Sequence, residues 1–311
     1  MKTIFLGTPE FAVPSLDALV AAGHSVVRVY TQPDRPKGRG QQLAESPVKE
    51  AALRLGIEVF QPARIRTCVD ELREAVPDVM VVVGYGQIIP QAIIDIPARG
   101  ILNVHASLLP KYRGAAPIQW AIANGETETG VSIMSINAGL DTGPVVMSAA
   151  TPIAPDETAP QLGERLAEMG AMMLTLALER NPPAVAQDNA LATLAPILKK
   201  ADGCVDWNAS AGQVYNRLRG FDPWPGAWTV FRGQTLHLRK VRPAAGEMPP
   251  GLLRFEGKQL YAGCGGGTRL ELIEVQLEGR NRVRALDFAN GAHLGENEYF
   301  TNKTTIGGSA S

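Results

Sequence analysis

The chain is short of the residues that define several other kinds of protein. Its 311 residues include three cysteines, Cys68, Cys204 and Cys264, set far apart and odd in number. They form no Cys-x-x-Cys pair, so neither a disulfide framework nor a structural zinc site is expected. Histidine is equally scarce, four in all, and none stands with cysteine at metal-ligand spacing. No apolar run approaches the roughly 18–20 residues that a membrane-crossing helix needs. The apolar start is broken at Thr8-Pro9-Glu10, too early for a secretion signal. Neither sign of charge is in excess, with 30 basic against 31 acidic side chains, so the total demands no polyanionic partner. The expectation is a cytoplasmic protein with no metal and no membrane segment.

What remains is an ordinary globular composition, 45% hydrophobic and 20% charged, in a chain long enough for two cores. Residues 1–204 carry a net charge of −4 and residues 205–311 one of +3. A solvated surface explains that asymmetry as well as a polyanion does.

The first half alternates β-branched runs with amphipathic segments, the pattern of a mostly parallel, doubly wound α/β sheet. Strands are expected at Lys2–Leu6, Ser25–Thr31, Asp78–Val83 and Gly100–Val104, with a strand pair at Gly130–Ile136 and Pro144–Ala149. Helices are expected at residues 10–22, from the Ser46-Pro47 cap onward with Ala51, Ala52 and Leu55 buried, and at Glu157–Leu178. From Asn181 to about Asp206 the chain is aperiodic. Short strands between Gly and Pro follow (Ala227–Phe231, Thr235–Arg242, Leu252–Phe255, Gln259–Ala262, Arg269–Gln276), as in a small β-barrel. The resulting division is a first domain over 1–188, a linker over 189–206 and a barrel over 207–311, mobile from Asn297.

Three short segments carry chemistry: Asn103-Val104-His105, Ser107-Leu108-Leu109-Pro110 and Gly139-Leu140-Asp141-Thr142-Gly143. Asn103 and His105 are two apart at a strand end, so their side chains share a face. That face lies at the carboxyl end of a parallel strand, where open α/β sheets bind ligands. A carboxamide there can donate to an oxyanion and an imidazole can carry a proton. Asp141, if the fold brings it near, would orient the imidazole. No Gly-x-Ser-x-Gly elbow exists, so an acyl-enzyme is not expected. The first turn, Gly7-Thr8-Pro9-Glu10-Phe11-Ala12, lacks the later glycines of a dinucleotide loop.

These segments, in this order, resemble the folate-dependent formyltransferases, which carry N-x-H-x-S-L-L-P followed by G-L-D-T-G. The match continues through Arg113-Gly114-Ala115-Ala116-Pro117-Ile118-Gln119, includes the Gly7-Thr8-Pro9 turn with Phe11, and extends to about residue 290. The resemblance implies an OB-like second domain, 10-formyltetrahydrofolate as co-substrate, and Asn103, His105 and Asp141 as catalytic residues. It also implies folate contacts at Ser107, Leu108, Leu109 and Pro110, and at Gln87 and Ile88 after the central strand. The basic segment with Arg35, Lys37 and Arg39 resembles the loop by which methionyl-tRNA formyltransferases reach their tRNA, and Ala195–Gly203 resembles their linker junction. The implied reaction is formylation of the α-amine of methionyl initiator tRNA, for translation initiation, by a monomer. A small-amine formyltransferase, acting for example on an amino-sugar nucleotide, and an inactive RNA-binding module are the alternatives. Arg217, Arg219, Arg239, Lys240 and Arg242 are candidates for the RNA face of the barrel, and Trp224 and Trp228 for its core. Ala106 and Asn137-Ala138 depart from the family pattern, where Gly and an acidic pair are common.

Overall fold

The computed structural model describes residues 1–37 and 42–301 and divides into two compact units. Among the described residues no helix is long and apolar enough to cross a membrane. The first unit takes Met1–Pro117, Glu128–Pro152 and Gln161–Pro196. It opens with β1 (Lys2–Gly7), α1 (Val13–Ala21) and β2 (Ser25–Tyr30). An antiparallel pair follows, β3 (Arg35–Lys37) with β4 (Gln42–Ala44). Next come α2 (Pro47–Arg54), β5 (Val59–Phe60), α3 (Val69–Glu74), β6 (Val79–Val83), α4 (Gln91–Ile94) and β7 (Ile101–His105). The chain then forms α5 (Pro117–Ala123), which from Ile118 on belongs to the second unit, and returns to the first with β8 (Glu128–Ser135), β9 (Val145–Pro152) and most of α6 (Ala159–Arg180).

The main sheet has the order β5-β2-β1-β6-β7-β8-β9. Pairing is parallel from β5 to β7 and antiparallel from β7 to β9. The expected mostly parallel α/β sheet is present, with an antiparallel ribbon at one edge. The chain steps outward from β1 through β2 to β5, then returns to the other side of β1 as β6. That reversal opens a crevice at the strand carboxyl ends between β1 and β6. The two loops are tied there, the Thr8 hydroxyl donating to the Tyr85 carbonyl at 3.2 Å.

Local sequence explains these elements. The run Val79-Met80-Val81-Val82-Val83 is buried along its whole length, as a central parallel strand must be. Ser46 caps α2, its Oγ accepting from Lys49 N at 3.1 Å, and Pro47 sits at the first helical position. One sheet face packs Ile4, Leu6, Met80, Val82 and Ile101 against Ile65, Leu72 and Ile93. On the other, α6 lies so close that a Cβ on Gly170 would meet Val104 Cγ1 at 2.6 Å. Alternation along β7 therefore puts Asn103 and His105 on the Ile101 side.

The second unit takes Ile118–Thr127, Ile153–Pro160 and the chain from Ile197. It holds α7 (Ala211–Gly220), β10 (Ala227–Phe231), β11 (Gln234–Ala244), β12 (Leu253–Glu256), β13 (Gln259–Gly263), β14 (Arg269–Leu277), β15 (Val283–Arg284) and α8 (Ala285–Gly291). The sheet is antiparallel, in the order β10-β11-β14-β13-β12, with β15 on β14. Its interior includes Leu236, Leu238, Leu260, Leu270, Leu272 and Val275. Trp228 is buried as expected. Trp224 is 56% exposed, because it lies in the proline-bracketed turn before β10 and escapes the strand's alternation.

Trp224 thus departs from the core role expected of it, and two further expectations for this unit need correction. Arg219 is not on an RNA face: it is 5% exposed and donates to the carbonyls of Ala154 (3.3 Å) and Glu157 (3.0 Å). The chain from Asn297 is not a free tail over its described part. Leu253 N donates to Glu298 O (2.8 Å), Phe300 N to Gly251 O (2.9 Å) and Thr301 N to Val230 O (3.0 Å). Residues 298–301 thus bridge β10 to the start of β12, the two edges of the sheet, and Phe300 stacks on Trp207 with ring centroids 4.9 Å apart. Residues 302–311 lie outside the described residues.

Two outcomes are expected of this closure. Phe300→Ala should cost about 3–5 kcal/mol in urea-monitored unfolding, the usual range for emptying an aromatic site in a core; a loss near zero would mean that the segment does not close the barrel. Arg232 grips Glu298 through Nε (2.5 Å) and Nη2 (2.7 Å), and that hydrogen bonding holds the Glu298 carboxyl below its ordinary range. The folded group then titrates below the unfolded one, so its contribution is complete above the unfolded value and is lost as pH falls through the folded one. Glu298→Gln should remove that acid-sensitive component from stability measured between about pH 6 and 3.

Candidate active site

β7 delivers Asn103 and His105 beside two strands at once. His105 stands opposite Ser132 of the antiparallel β8, and Asn103 opposite Val82 of the parallel β6. After His105 the chain turns back on itself over residues 106–112. The Ser107 hydroxyl donates to Lys111 O at 2.6 Å, and the Ser132 hydroxyl donates to Ser107 O at 2.8 Å while accepting from Leu109 N at 3.1 Å. This folding brings the Tyr112 carbonyl to 3.0 Å from His105 Nε2. A carbonyl only accepts, so Nε2 carries the hydrogen and Nδ1 is the nitrogen left to exchange a proton. His105 is 5% exposed, so little water competes for it.

The fold supplies the third group. Asp141 Oδ2 lies 3.7 Å from His105 Nδ1 and accepts from Gly114 N at 2.8 Å. The loop between β8 and β9 has the shape its motif requires. A Cβ on Gly143 would meet Ser135 O at 1.7 Å, so only glycine lets the returning chain pass β8. Asn137 Oδ1 accepts from Gly139 N (3.1 Å) and from the Thr142 hydroxyl (2.8 Å), so the residue that departs from the family pattern closes the turn itself. Gly114 has φ +124 and sits so near the connector that a Cβ would meet Ala195 O at 2.5 Å.

The remaining sequence candidates divide into groups already engaged and groups left open. The Ser107 hydroxyl is fully buried and its hydrogen is used within the loop, whereas Leu108, Leu109 and Pro110 are half-buried. Gln87 is held in place: its Oε1 accepts from Ile65 N at 2.7 Å. Ile88 next to it is 90% exposed at a cleft of about 420 Å³ lined also by Arg64, Ile65 and Arg66. The Asn103 carboxamide has no hydrogen-bond partner among the described residues. Arg35 is exposed, only the backbone pairing of Lys37 with Gln42 is described, and Arg39 lies outside the described residues. The base of that basic segment is fastened by Lys49, whose Nζ contacts Asp34 Oδ2 (2.6 Å) just before β3 and Glu45 Oε1 (2.9 Å) just after β4.

Sequence reasoning missed Ser132, Tyr112, Arg113 and Gln187. Arg113 donates to Gln187 Oε1 through Nε (3.1 Å) and Nη2 (2.7 Å), and Gln187 Nε2 donates to Asp141 O (2.8 Å) and Gly143 O (2.7 Å). Only the Arg113 that ends the turn was within a segment already singled out. Among the described residues no group of three or more His, Cys, Asp or Glu side chains could hold a metal ion.

Known proteins share both the sequence and the fold. Residues 1–178 match the family described as Formyl transferase, and residues 197–293 the one described as Formyl transferase, C-terminal domain. The methionyl-tRNA formyltransferase of Koribacter versatilis (strain Ellin345) is 55% identical over 298 residues, covering 94% of this chain and 96% of that one. That of Solibacter usitatus (strain Ellin6076) is 55% identical over 306 residues, covering 96% and 98%. Among solved structures, the sugar 3N-formyl transferase WlaRD superposes with a TM-score of 0.67 at 18% identity, covering 90% of this chain and 99% of that one, a likeness of fold. With a match over more than half its length and relatives this similar from end to end, the chain belongs to the methionyl-tRNA formyltransferase family of formyl transferases.

Proposed function

We propose that the chain transfers the formyl group of 10-formyltetrahydrofolate to the α-amine of methionyl initiator tRNA, as a monomer, with Asn103, His105 and Asp141 as its reacting groups. The observation that carries this reading is one juxtaposition. His105 Nδ1 faces Asp141 Oδ2 at 3.7 Å, on the strand that also presents the unpartnered Asn103 carboxamide. The names of the relatives support the acceptor.

The residues present fit a folate. Leu108, Leu109 and Pro110 stand half-buried after the His105 strand, and Ile88 offers an exposed apolar side chain to a flat ring. The bound donor supplies a formyl carbon held on nitrogen; the rest is the work of the protein's own groups. A bond forms between the amine nitrogen and that carbon, and the bond from the carbon to the folate nitrogen breaks. Asn103 donates to the formyl oxygen while it carries negative charge, a contribution of about 10²–10³ in rate. The amine sheds one proton, which His105 takes at Nδ1, because Nε2 is committed to Tyr112 O. The same proton leaves on the folate nitrogen and His105 is restored. Such acid–base service is worth about 10²–10⁴. Asp141 balances the imidazolium in between. An α-amine titrates near about 8, so part of it is neutral and nucleophilic at pH 7. Arg35, Lys37 and Arg39 supply phosphate contacts from the segment that Lys49 fastens.

Formyl transfer measured with methionyl initiator tRNA, methionyl elongator tRNA and an amino-sugar nucleotide side by side should occur on the initiator tRNA alone; turnover of the amino sugar only would overturn the acceptor. His105→Ala should lower kcat by about 10²–10⁴ with folate binding retained, and an unchanged kcat would remove His105 from the mechanism. Joint replacement of Lys37 and Arg39 by Ala should raise the KM for tRNA and flatten its salt dependence, with folate affinity as the internal control.

A further inference from the structure

The loop that carries Asp141 has little packing to hold it. Residues 137–140 are exposed, Leu140 included. Asp141 itself has φ +49, a left-handed conformation that a side chain other than glycine keeps only where its surroundings impose it. Polar contacts, not a core, must therefore set where its carboxylate points.

We propose that Gln187 is the positioning residue for that carboxylate, closing a clamp on the Asp141 loop with Arg113 behind it. This rests on the assignment of Asp141 as the partner of His105. A single amide nitrogen reaches both carbonyls that bracket the turn, Asp141 O at 2.8 Å and Gly143 O at 2.7 Å. The amide oxygen faces the Arg113 guanidinium, accepting from Nε and Nη2. Carbonyls only accept and a guanidinium only donates, so the amide has one orientation and all four of its hydrogen-bonding positions are used. Arg113 is 7% exposed and is anchored in turn by Asn189 Oδ1 at 2.8 Å. Its backbone pairs with the same connector, N to Thr193 O (2.9 Å) and O from Ala195 N (2.7 Å). The next residue, Gly114, gives its N–H to the Asp141 oxygen that faces His105. The Arg113 side chain therefore braces the turn through Gln187 while the backbone N–H of Gly114 holds the carboxylate, both registered on the connector.

No other neutral side chain of this length presents two donors at one corner and an acceptor for a guanidinium at the other. Glutamate keeps the Arg113 contact but sets an oxygen against two carbonyl oxygens, and methionine keeps the volume while losing every bond. Asparagine retains the amide and falls one methylene short.

Steady-state kinetics with methionyl initiator tRNA and 10-formyltetrahydrofolate test the proposal. Gln187→Met and Gln187→Asn should each lower kcat by about 10²-fold, the effect of shifting a reacting group by roughly an ångström, with both KM values unchanged. Their pH profiles of kcat should change in the same sense as that of Asp141→Asn. The decisive comparison is the double variant. If Gln187 acts through Asp141, Gln187→Met added to Asp141→Asn costs nothing more. Multiplicative losses, or a loss confined to KM, would overturn the positioning role. A full effect of Asp141→Asn with none from either Gln187 variant would overturn it too, leaving the site assignment standing. An Asp141→Asn enzyme as fast as the parent would instead remove the assignment on which the proposal rests.

Discussion

Which nitrogen of His105 can do chemistry is decided by a backbone carbonyl. Tyr112 O occupies Nε2 at 3.0 Å, and from that one contact the rest of the site follows. Nδ1 becomes the exchangeable position, so a useful carboxylate has to stand on the Nδ1 side, where Asp141 does. Holding the carbonyl there is costly in local geometry, since Tyr112 has φ +60. The strain is sustained by contacts from distant parts of the first unit. Ser132 of β8 staples the turn, and the Thr193 hydroxyl in the connector accepts from Tyr112 N at 2.8 Å. The tautomer of a histidine on β7 is in this sense a property of the whole sheet edge.

Antiparallel addition of β8 is what makes the arrangement compact. Directly paired residues of an antiparallel ladder project to the same face, so Ser132, opposite His105, is placed beside the turn that His105 begins. A parallel neighbour would have needed a long crossover and would have carried its own loop to the same end of the sheet. Against this background of satisfied groups, Asn103 is distinguished by what it lacks. The buried polar groups of the turn after His105 are engaged, as low dielectric requires, while the Asn103 donors remain free among the described residues. A half-buried amide with free donors thus stands on the same face as an imidazole whose Nδ1 is also open.

Much of this was legible in the sequence, and the failures have physical causes. Strands were readable because buried parallel strands are continuous apolar runs, as Val79–Val83 is. The helix α7 was not, because Gln213, Asn216, Arg217 and Arg219 hide the spacing of Ala211, Val214 and Leu218. Arg217 and Arg219 are close in sequence, yet two steps along a helix turn the side chain by about 200°. One arginine therefore faces solvent and the other the interior. Glu298–Thr301 looked like a tail because four residues carry no periodicity; their pairing depends on edges supplied by β10 and the approach to β12. Asn103 and His105 could be placed on one face from alternation alone. The approach of Asp141 could not, and Gln187 lay in an aperiodic connector whose value is entirely tertiary.

That connector changes how the first unit should be understood. Val185 pairs with Val145, Thr193 and Ala195 pair with the chain at Pro110 and Arg113, and Gln187 reaches across to the Asp141 turn. It serves as an outer wall for the turn after β7 and for the Asp141 loop. The basic segment receives similar treatment at its base. Lys49, rigid within α2, meets Asp34 and Glu45 on the two sides of the β3–β4 pair. Hydrogen bonding between Lys49 and Asp34 holds the carboxyl below its ordinary range and the ammonium above its own, so the tie keeps both charges through neutral pH. The Asp141 turn and the base of the basic segment are thus each tied by a side chain outside themselves, Gln187 for one and Lys49 for the other, which fixes where each begins relative to the sheet.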